Sequence, residues 1–126
     1  MDNIYSDDNV NELTKKNFII KPNKISLNPS ITKKLNGILV IYAPWCETCV
    51  MSKKMWENLG SLFKYKFNIY ALNAYNFNDG NQDLTLPLDV RSYPSYKFIK
   101  KNGEILNYND RKKEADIIKF IINNID

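Results

Sequence analysis

The sequence contains no histidine and only two cysteines, Cys46 and Cys49. A structural zinc site takes four ligands, most of them Cys or His. A single copy of this chain cannot supply such a set, so the composition predicts neither a metal site nor a bound cofactor. The remaining metal alternative is a dimer that shares four thiolates around zinc or an iron–sulfur cluster.

Long apolar segments are also missing. The longest apolar run, ILVIYA at residues 38–43, is far too short to span a bilayer. The first residues are acidic and polar, and they lack the basic and apolar regions of a secretory signal. We therefore expect no membrane partner and an intracellular protein, either in the cytoplasm or packaged in a particle. The alternative is the secretory-pathway lumen, if a leader was removed.

The sequence also has no large excess of charge of either sign. The net charge is +4 and the lysine pairs are dispersed along the chain. Dispersed pairs are typical of solvated faces, so we expect no nucleic-acid partner. The 126 residues suit one domain with one core. We place that domain at residues 17–126, after a polar N-terminal arm at residues 1–16, and we expect it to be a monomer.

Hydrophobic patterning predicts an α/β fold. Residues 38–43 are apolar at every position, which is typical of a strand covered on both faces in a parallel sheet. A helix starting near Cys46 and a buried strand at residues 67–72 would complete a right-handed parallel crossover. The other predicted elements are a strand at 17–20, a helix at 30–35, a loop at 74–89, hairpin strands at 95–100 and 104–108, and a helix at 112–125.

The spacing of the two cysteines favours redox chemistry. A disulfide between Cys46 and Cys49 closes a very short loop, so it would stabilise the fold little. A helix that begins at Cys46 directs free backbone N–H groups and a positive partial charge at that sulfur, which favours the thiolate. Cys46 is then the nucleophile, and Cys49, one turn further along, is the thiol that resolves a mixed disulfide.

Two segments carry a resemblance to a known family. YAPWCETC, at residues 42–49, resembles the active-site stretch of the thioredoxin superfamily, and APWC is similar to its protein disulfide isomerase branch. Residues 90–122 resemble the region of an isomerase catalytic domain around its cis-proline, hairpin and last helix. The resemblance implies a thioredoxin-like α/β fold, with a mixed central sheet flanked by helices, most similar to a single isomerase-type catalytic domain.

The same resemblance implies roles for the residues around the cysteines. Pro94 corresponds to the cis-proline, and the backbone of Tyr93 would pair with an extended substrate segment. Trp45 would present a flat apolar face to the same peptide. Arg91 corresponds to an arginine that can approach the buried second cysteine. The alternatives are an ordinary trans proline at Pro94 and a plain surface residue at Arg91.

The chain also departs from the family pattern at three places. Glu47 and Thr48 occupy the positions where isomerases carry Gly-His, so a source of thiolate stabilisation is missing. Val40 stands where family members place a buried acid, so we predict a slow resolving step that relies on water, on Arg91 or on another group. The proline that kinks the family's active-site helix is absent, which predicts a straighter helix.

The predicted function is thiol–disulfide exchange on protein or peptide substrates through a redox-active Cys46–Cys49 disulfide. It needs a recycling redox partner, and its direction depends on the reduction potential. The alternative is a non-catalytic thioredoxin-fold module for binding or assembly.

Overall fold

The computed structural model describes residues 1–5 and 7–125. Its main sheet has five strands in the order β1-β5-β4-β6-β7, and β2 and β3 form a separate antiparallel pair. The first three strands of the main sheet are parallel, and the last two are antiparallel to their neighbours. The strands are β1 (Asn11–Leu13), β2 (Phe18–Lys21), β3 (Lys24–Leu27), β4 (Gly37–Tyr42), β5 (Asn68–Asn73), β6 (Ser95–Ile99) and β7 (Ile105–Asn107).

The central strand is β4, and every one of its residues is buried. It pairs with β5 on one side and β6 on the other, so all of its backbone groups can find partners within the sheet. Its bounds confirm the prediction of a strand at residues 38–43 to within one residue. The crossover from β4 to β5 runs through helices α2 (Glu47–Met51) and α3 (Lys53–Leu62).

The active-site helix is interrupted at Ser52, so the prediction of a straighter helix is wrong. Ser52 is the residue between α2 and α3, and its hydroxyl donates a hydrogen bond of 3.1 Å to the carbonyl of Cys49. A serine hydroxyl that bonds a carbonyl of the preceding turn competes with the backbone ladder and bends a helix. The interruption therefore occurs here without a proline.

Two apolar layers cover the sheet. On one face, side chains of β4 and β5 pack against α3 and the final helix α4 (Glu114–Asn123), with Trp56, Leu59, Ile117 and Ile121 in this layer. On the other face lie β2, β3, the short helix α1 (Pro29–Thr32) and the 3₁₀ helix Asn81–Leu84. This is the mixed sheet flanked by helices that the sequence predicts.

The N-terminal segment belongs to this fold, which corrects the expected boundary at residue 17. Strand β1, at Asn11–Leu13, pairs in parallel with β5, and Tyr5 and Val10 are buried in the core. The segment also contacts α3 at Gly60, where an added Cβ would collide with the backbone carbonyl of Asn9. The sequence does not predict this strand, because it is only three residues long, buries one leucine and stands in a polar segment.

Candidate active site

The two cysteines lie at the turn from β4 into α2. Cys46 is the N-cap residue of α2, and its Sγ accepts a hydrogen bond of 3.2 Å from the backbone N–H of Cys49. At most helix starts, a side-chain oxygen of the N-cap residue accepts this hydrogen bond; here the acceptor is the sulfur of Cys46. The turn is fixed by a second bond of 3.0 Å, from the N–H of Cys46 to the carbonyl of Ala43.

The two thiols differ in burial. Both are free; Cys46 keeps a small exposed fraction of 7%, whereas Cys49 is completely buried. Burial, together with the hydrogen bond to Cys46, raises the pKa of the Cys49 thiol to about 12. A substrate can therefore reach only Cys46, and Cys49 must lose a tightly held proton before it can react.

The segment before β6 completes the rim of the site. The Tyr93–Pro94 peptide bond is cis, and the carbonyl oxygen of Tyr93 lies 3.7 Å from the Sγ of Cys46. Tyr93 and Pro94 are therefore brought to Cys46 from a distant part of the sequence. A backbone carbonyl at this position is available to a peptide that approaches the sulfur.

Aromatic side chains border the exposed side of Cys46. Trp45 is 56% exposed and contacts the rings of Tyr75 and Tyr93 edge to face, at centroid distances of 5.6 and 5.8 Å. The ring of Phe77 contacts the ring of Tyr75 at a centroid distance of 5.6 Å and extends the group. Tyr75 and Phe77 were not predicted as site residues. Their position just after β5 could have identified them, because the parallel strands β4 and β5 end at the same edge of the sheet.

The other predicted site residues face away from the thiols. Glu47 and Thr48 occupy the first turn of α2 with exposed side chains. The side chain of Arg91 is 84% exposed, and its Nε donates a 3.0 Å hydrogen bond to Asp89. Arg91 therefore lies at the surface and is not brought to Cys49, which is completely buried.

A half-buried acid lies on the same side of the sheet as Cys49, on a strand that the sequence did not predict. In the sheet register, Glu12 on β1 pairs with Ala71 on β5, and Ala71 in turn pairs with Val40 on β4. The hydroxyl of Tyr42 donates a hydrogen bond to the Oε1 of Glu12, while Oε2 is buried and has no hydrogen-bond partner among residues 1–5 and 7–125. Burial raises the pKa of Glu12 from near 4.5 to about 7, although the hydrogen bond from Tyr42 and the nearby backbone of Tyr5 oppose the rise.

Phenol groups accompany this acid beneath the thiols. Tyr5, Tyr42 and Tyr96 are buried in the same apolar layer as Cys49, and burial raises the pKa of each of them. The hydroxyl of Tyr5 is buried, and none of the residues that the structure describes is its hydrogen-bond partner. Its electrostatic neighbours include both Cys49 and Glu12. The sequence offers no pattern that would identify Tyr5, because it stands alone in a polar stretch.

Residues 1–5 and 7–125 contain neither a candidate metal site nor a candidate membrane span. No group of three or more His, Cys, Asp or Glu side chains is placed to hold a metal ion. No helix in this part of the chain has both the length and the apolar character that crossing a membrane requires.

Comparison with known proteins identifies the family. A model of the thioredoxin family matches residues 10–123. The chain belongs to the thioredoxin family. Among curated thioredoxin-family relatives, a putative protein disulfide-isomerase of Dictyostelium discoideum is 28% identical over 123 residues, covering 92% of this chain and 27% of that protein. The protein disulfide-isomerase of Ricinus communis is 32% identical over 93 residues, covering 72% of this chain and 18% of its own length.

The chain thus spans less than a third of the length of these relatives. Solved structures agree on the thioredoxin fold. The J-Trx1 fragment of ERdj5 has a TM-score of 0.69 at 17% identity, covering 93% of this chain and 52% of that one. The first thioredoxin domain of mouse protein disulfide-isomerase A4 has a TM-score of 0.60 at 22% identity, covering 84% and 78%. The expected isomerase-type thioredoxin domain is confirmed.

Proposed function

We propose that this thioredoxin-family chain is a thiol–disulfide oxidoreductase that acts on protein or peptide disulfides through Cys46-Glu47-Thr48-Cys49. The observation that carries the proposal is the N-cap position of Cys46, whose Sγ accepts the Cys49 N–H at 3.2 Å. A hydrogen-bond donor directed at the sulfur favours the thiolate over the thiol. The burial of Cys49 directly behind it supports the division into an attacking thiol and a resolving thiol.

Exchange would proceed in two steps. The thiolate of Cys46 attacks one sulfur of a substrate disulfide and expels the other sulfur as a thiolate, leaving a mixed disulfide on Cys46. Cys49 then loses its proton and attacks the Sγ of Cys46, which releases the second substrate sulfur as a thiolate. The substrate disulfide has gained two electrons, and the chain holds a Cys46–Cys49 disulfide. A dithiol partner would return the chain to the reduced state, and the reverse sequence would oxidise a substrate.

Substrate binding would use the rim around Cys46. The Tyr93 carbonyl lies close enough to Cys46 to support pairing with the backbone of an extended peptide segment next to Pro94. Trp45 and Tyr75 offer apolar ring surface to the side chains of that peptide. Neither step requires a metal or an organic cofactor.

Insulin reduction with dithiothreitol tests the proposal. The wild type should accelerate it, Cys46→Ser should abolish the acceleration, and Cys49→Ser should accumulate a mixed disulfide. Equal rates for wild type and Cys46→Ser would contradict the proposal and favour a non-catalytic binding or assembly module. A glutathione titration would then give the direction: a potential near or above about −200 mV indicates disulfide donation, and one near about −270 mV indicates reduction.

A further inference from the structure

We propose that a cationic cleft beside the Tyr93–Pro94 segment binds a carboxylate side chain of the substrate, so that the chain prefers disulfides with aspartate or glutamate close by. The inference rests on the proposed oxidoreductase function, because it names the class of peptide that Cys46 would attack. The residues that would select this class are Arg91, Lys97 and Lys112, and they take no part in the chemical steps.

The cleft lies at the same edge of the sheet as Cys46. Ser95 begins β6 directly after Pro94, and it pairs with Ile41, the next-to-last residue of β4. The chain that leaves β4 at this edge continues into the turn that carries Cys46. Ser95 lines a surface cleft of about 380 Å³, so this cleft opens on the side of the sheet where a substrate disulfide would arrive.

The charges around this cleft are mostly positive. Arg91, Lys97 and Lys112 line it, and Asp89 is the one carboxylate among the described residues that do so. The Oδ1 of Asp89 accepts a hydrogen bond of 3.0 Å from the Nε of Arg91, so this acid offsets one of the three cations. The cleft keeps an excess of positive charge, and a cleft lined by one sign of charge attracts ions of the opposite sign.

Lys97 gives the strongest reason to expect an anion in the cleft. The residue is 8% exposed, and its Nζ donates a hydrogen bond of 3.0 Å to the side-chain oxygen of Asn107. Within residues 1–5 and 7–125, no carboxylate oxygen lies within 4.0 Å of this Nζ. A buried charge with only a neutral partner costs stability, and buried charges in proteins are normally paired. A carboxylate that enters the cleft would supply the missing partner.

The other two cations also have donors that a carboxylate could use. Asp89 engages the Nε of Arg91, and the two terminal NH₂ groups of the guanidinium take no part in that bond. The Nζ of Lys112 lies 5.0 Å from the centroid of the Tyr96 ring, a contact that positions the ammonium without a carboxylate. Charged hydrogen bonds from guanidinium and ammonium groups to a carboxylate are stronger than those between neutral groups.

The cleft is within reach of a peptide held at Cys46. The carbonyl oxygen of Tyr93 lies 3.7 Å from the Sγ of Cys46, and Ser95 follows two residues later in the sequence. An extended chain rises about 3.3 Å per residue, so Ser95 lies at most roughly 7 Å further along. A substrate segment that pairs with Tyr93 would therefore place residues roughly two to four positions from its cysteine over the cleft.

Peptides with a single cysteine in a disulfide with 2-thiopyridine measure the preference. Cys46 attacks the cysteine sulfur and keeps the peptide as a mixed disulfide, while the thiopyridine sulfur leaves with the electron pair and is followed by its absorbance. A near peptide carries two glutamates about three residues before or after the cysteine, a far peptide carries them about eight residues away, and a neutral peptide carries glutamines at the near positions. Each rate is divided by the rate of the same peptide with dithiothreitol, which removes differences in the reactivity of the peptides themselves.

The wild type should react roughly 10-fold faster with the near peptide than with the neutral one, because each partly exposed ion pair contributes a few-fold. The ratio of the near to the neutral rate should fall roughly 3-fold in Lys97→Met and in Lys112→Gln, and it should survive in Lys112→Arg, which keeps the charge. Lys66→Gln is the matched control, because Lys66 is exposed just before the start of β5, at the opposite edge of the sheet. It should leave the ratio unchanged.

The far peptide separates the cleft from a general attraction, because the net charge of +4 draws any acidic peptide to the chain. Equal rates for near and far peptides, or a wild-type ratio close to one, would overturn the inference and leave the cleft to an anion other than the substrate. A ratio that stays the same in both Lys97→Met and Lys112→Gln would overturn it as well, since a purely structural change slows every peptide equally. If the wild type released thiopyridine from no peptide faster than Cys46→Ser does, the proposed function itself would be overturned.

Discussion

The buried carboxyl of Glu12 makes a specific prediction about stability that does not depend on catalysis. Burial favours the protonated form of Glu12, because the charged form loses its hydration. The folded chain therefore binds a proton more tightly at this site than the unfolded chain does, and folding is favoured while the carboxyl is protonated in both states. Stability is lost as the pH rises from near 4.5, the ordinary value, to about 7, the folded value.

The size of the loss follows from the two pKa values. A pKa difference of about 2.5, at about 1.36 kcal/mol per unit, corresponds to about 3 kcal/mol. Glutamine is neutral at every pH, has the same shape and can still accept the hydrogen bond from Tyr42. Glu12→Gln should therefore gain about 3 kcal/mol over the wild type between about pH 4 and about pH 8.

Urea denaturation of the reduced protein across this pH range measures the difference directly. The free energy of unfolding is obtained for wild type and Glu12→Gln at each pH. If the difference between the two proteins does not change with pH, Glu12 has an ordinary pKa and the account of its burial is wrong.

Three further predictions concern other parts of the chain. Cys49→Ser should retain attack by Cys46 and trap a stable mixed disulfide with a cysteine-containing peptide, detectable by mass spectrometry; rapid release of that peptide would contradict the resolving role of Cys49. Gly60→Ala should destabilise the fold by about 1 to 3 kcal/mol, because its Cβ collides with the backbone of Asn9; an unchanged thermal midpoint would show that this contact is loose. Trp45→Ala should raise KM for a peptide disulfide without slowing the reaction of Cys46 with Ellman's reagent, and equal effects on both would indicate a change in the thiol itself.

The centre of the fold was predictable because its signals are local. An uninterrupted apolar run predicts β4 whatever surrounds it, and the cysteine spacing predicts a helix start at Cys46. Both depend on residues adjacent in sequence. The resemblance also identified Tyr93 and Pro94 in advance, and the structure brings them to Cys46.

The features that were missed depend on contacts between distant segments. β1 has three residues and one buried leucine, so no periodicity can reveal it; it exists because β5 offers an edge to pair with. Arg91 pairs with Asp89, two residues before it, and its side chain stays exposed at the surface. Ser52 is the reverse case, because the helix is interrupted at a residue whose hydroxyl bonds a nearby carbonyl, without a proline.

The position of β1 at the end of the sheet has a consequence for how the site behaves over time. An edge strand of three residues has few hydrogen bonds, so it should open and exchange its amide protons faster than β4, which is paired on both sides. Each opening would withdraw Glu12 from Tyr42 while the turn that carries Cys46 stays folded. Cys46 would then stay in place while the carboxyl of Glu12 and the hydroxyl of Tyr42 meet solvent, so the interior on this side of the sheet would become hydrated each time the strand detaches.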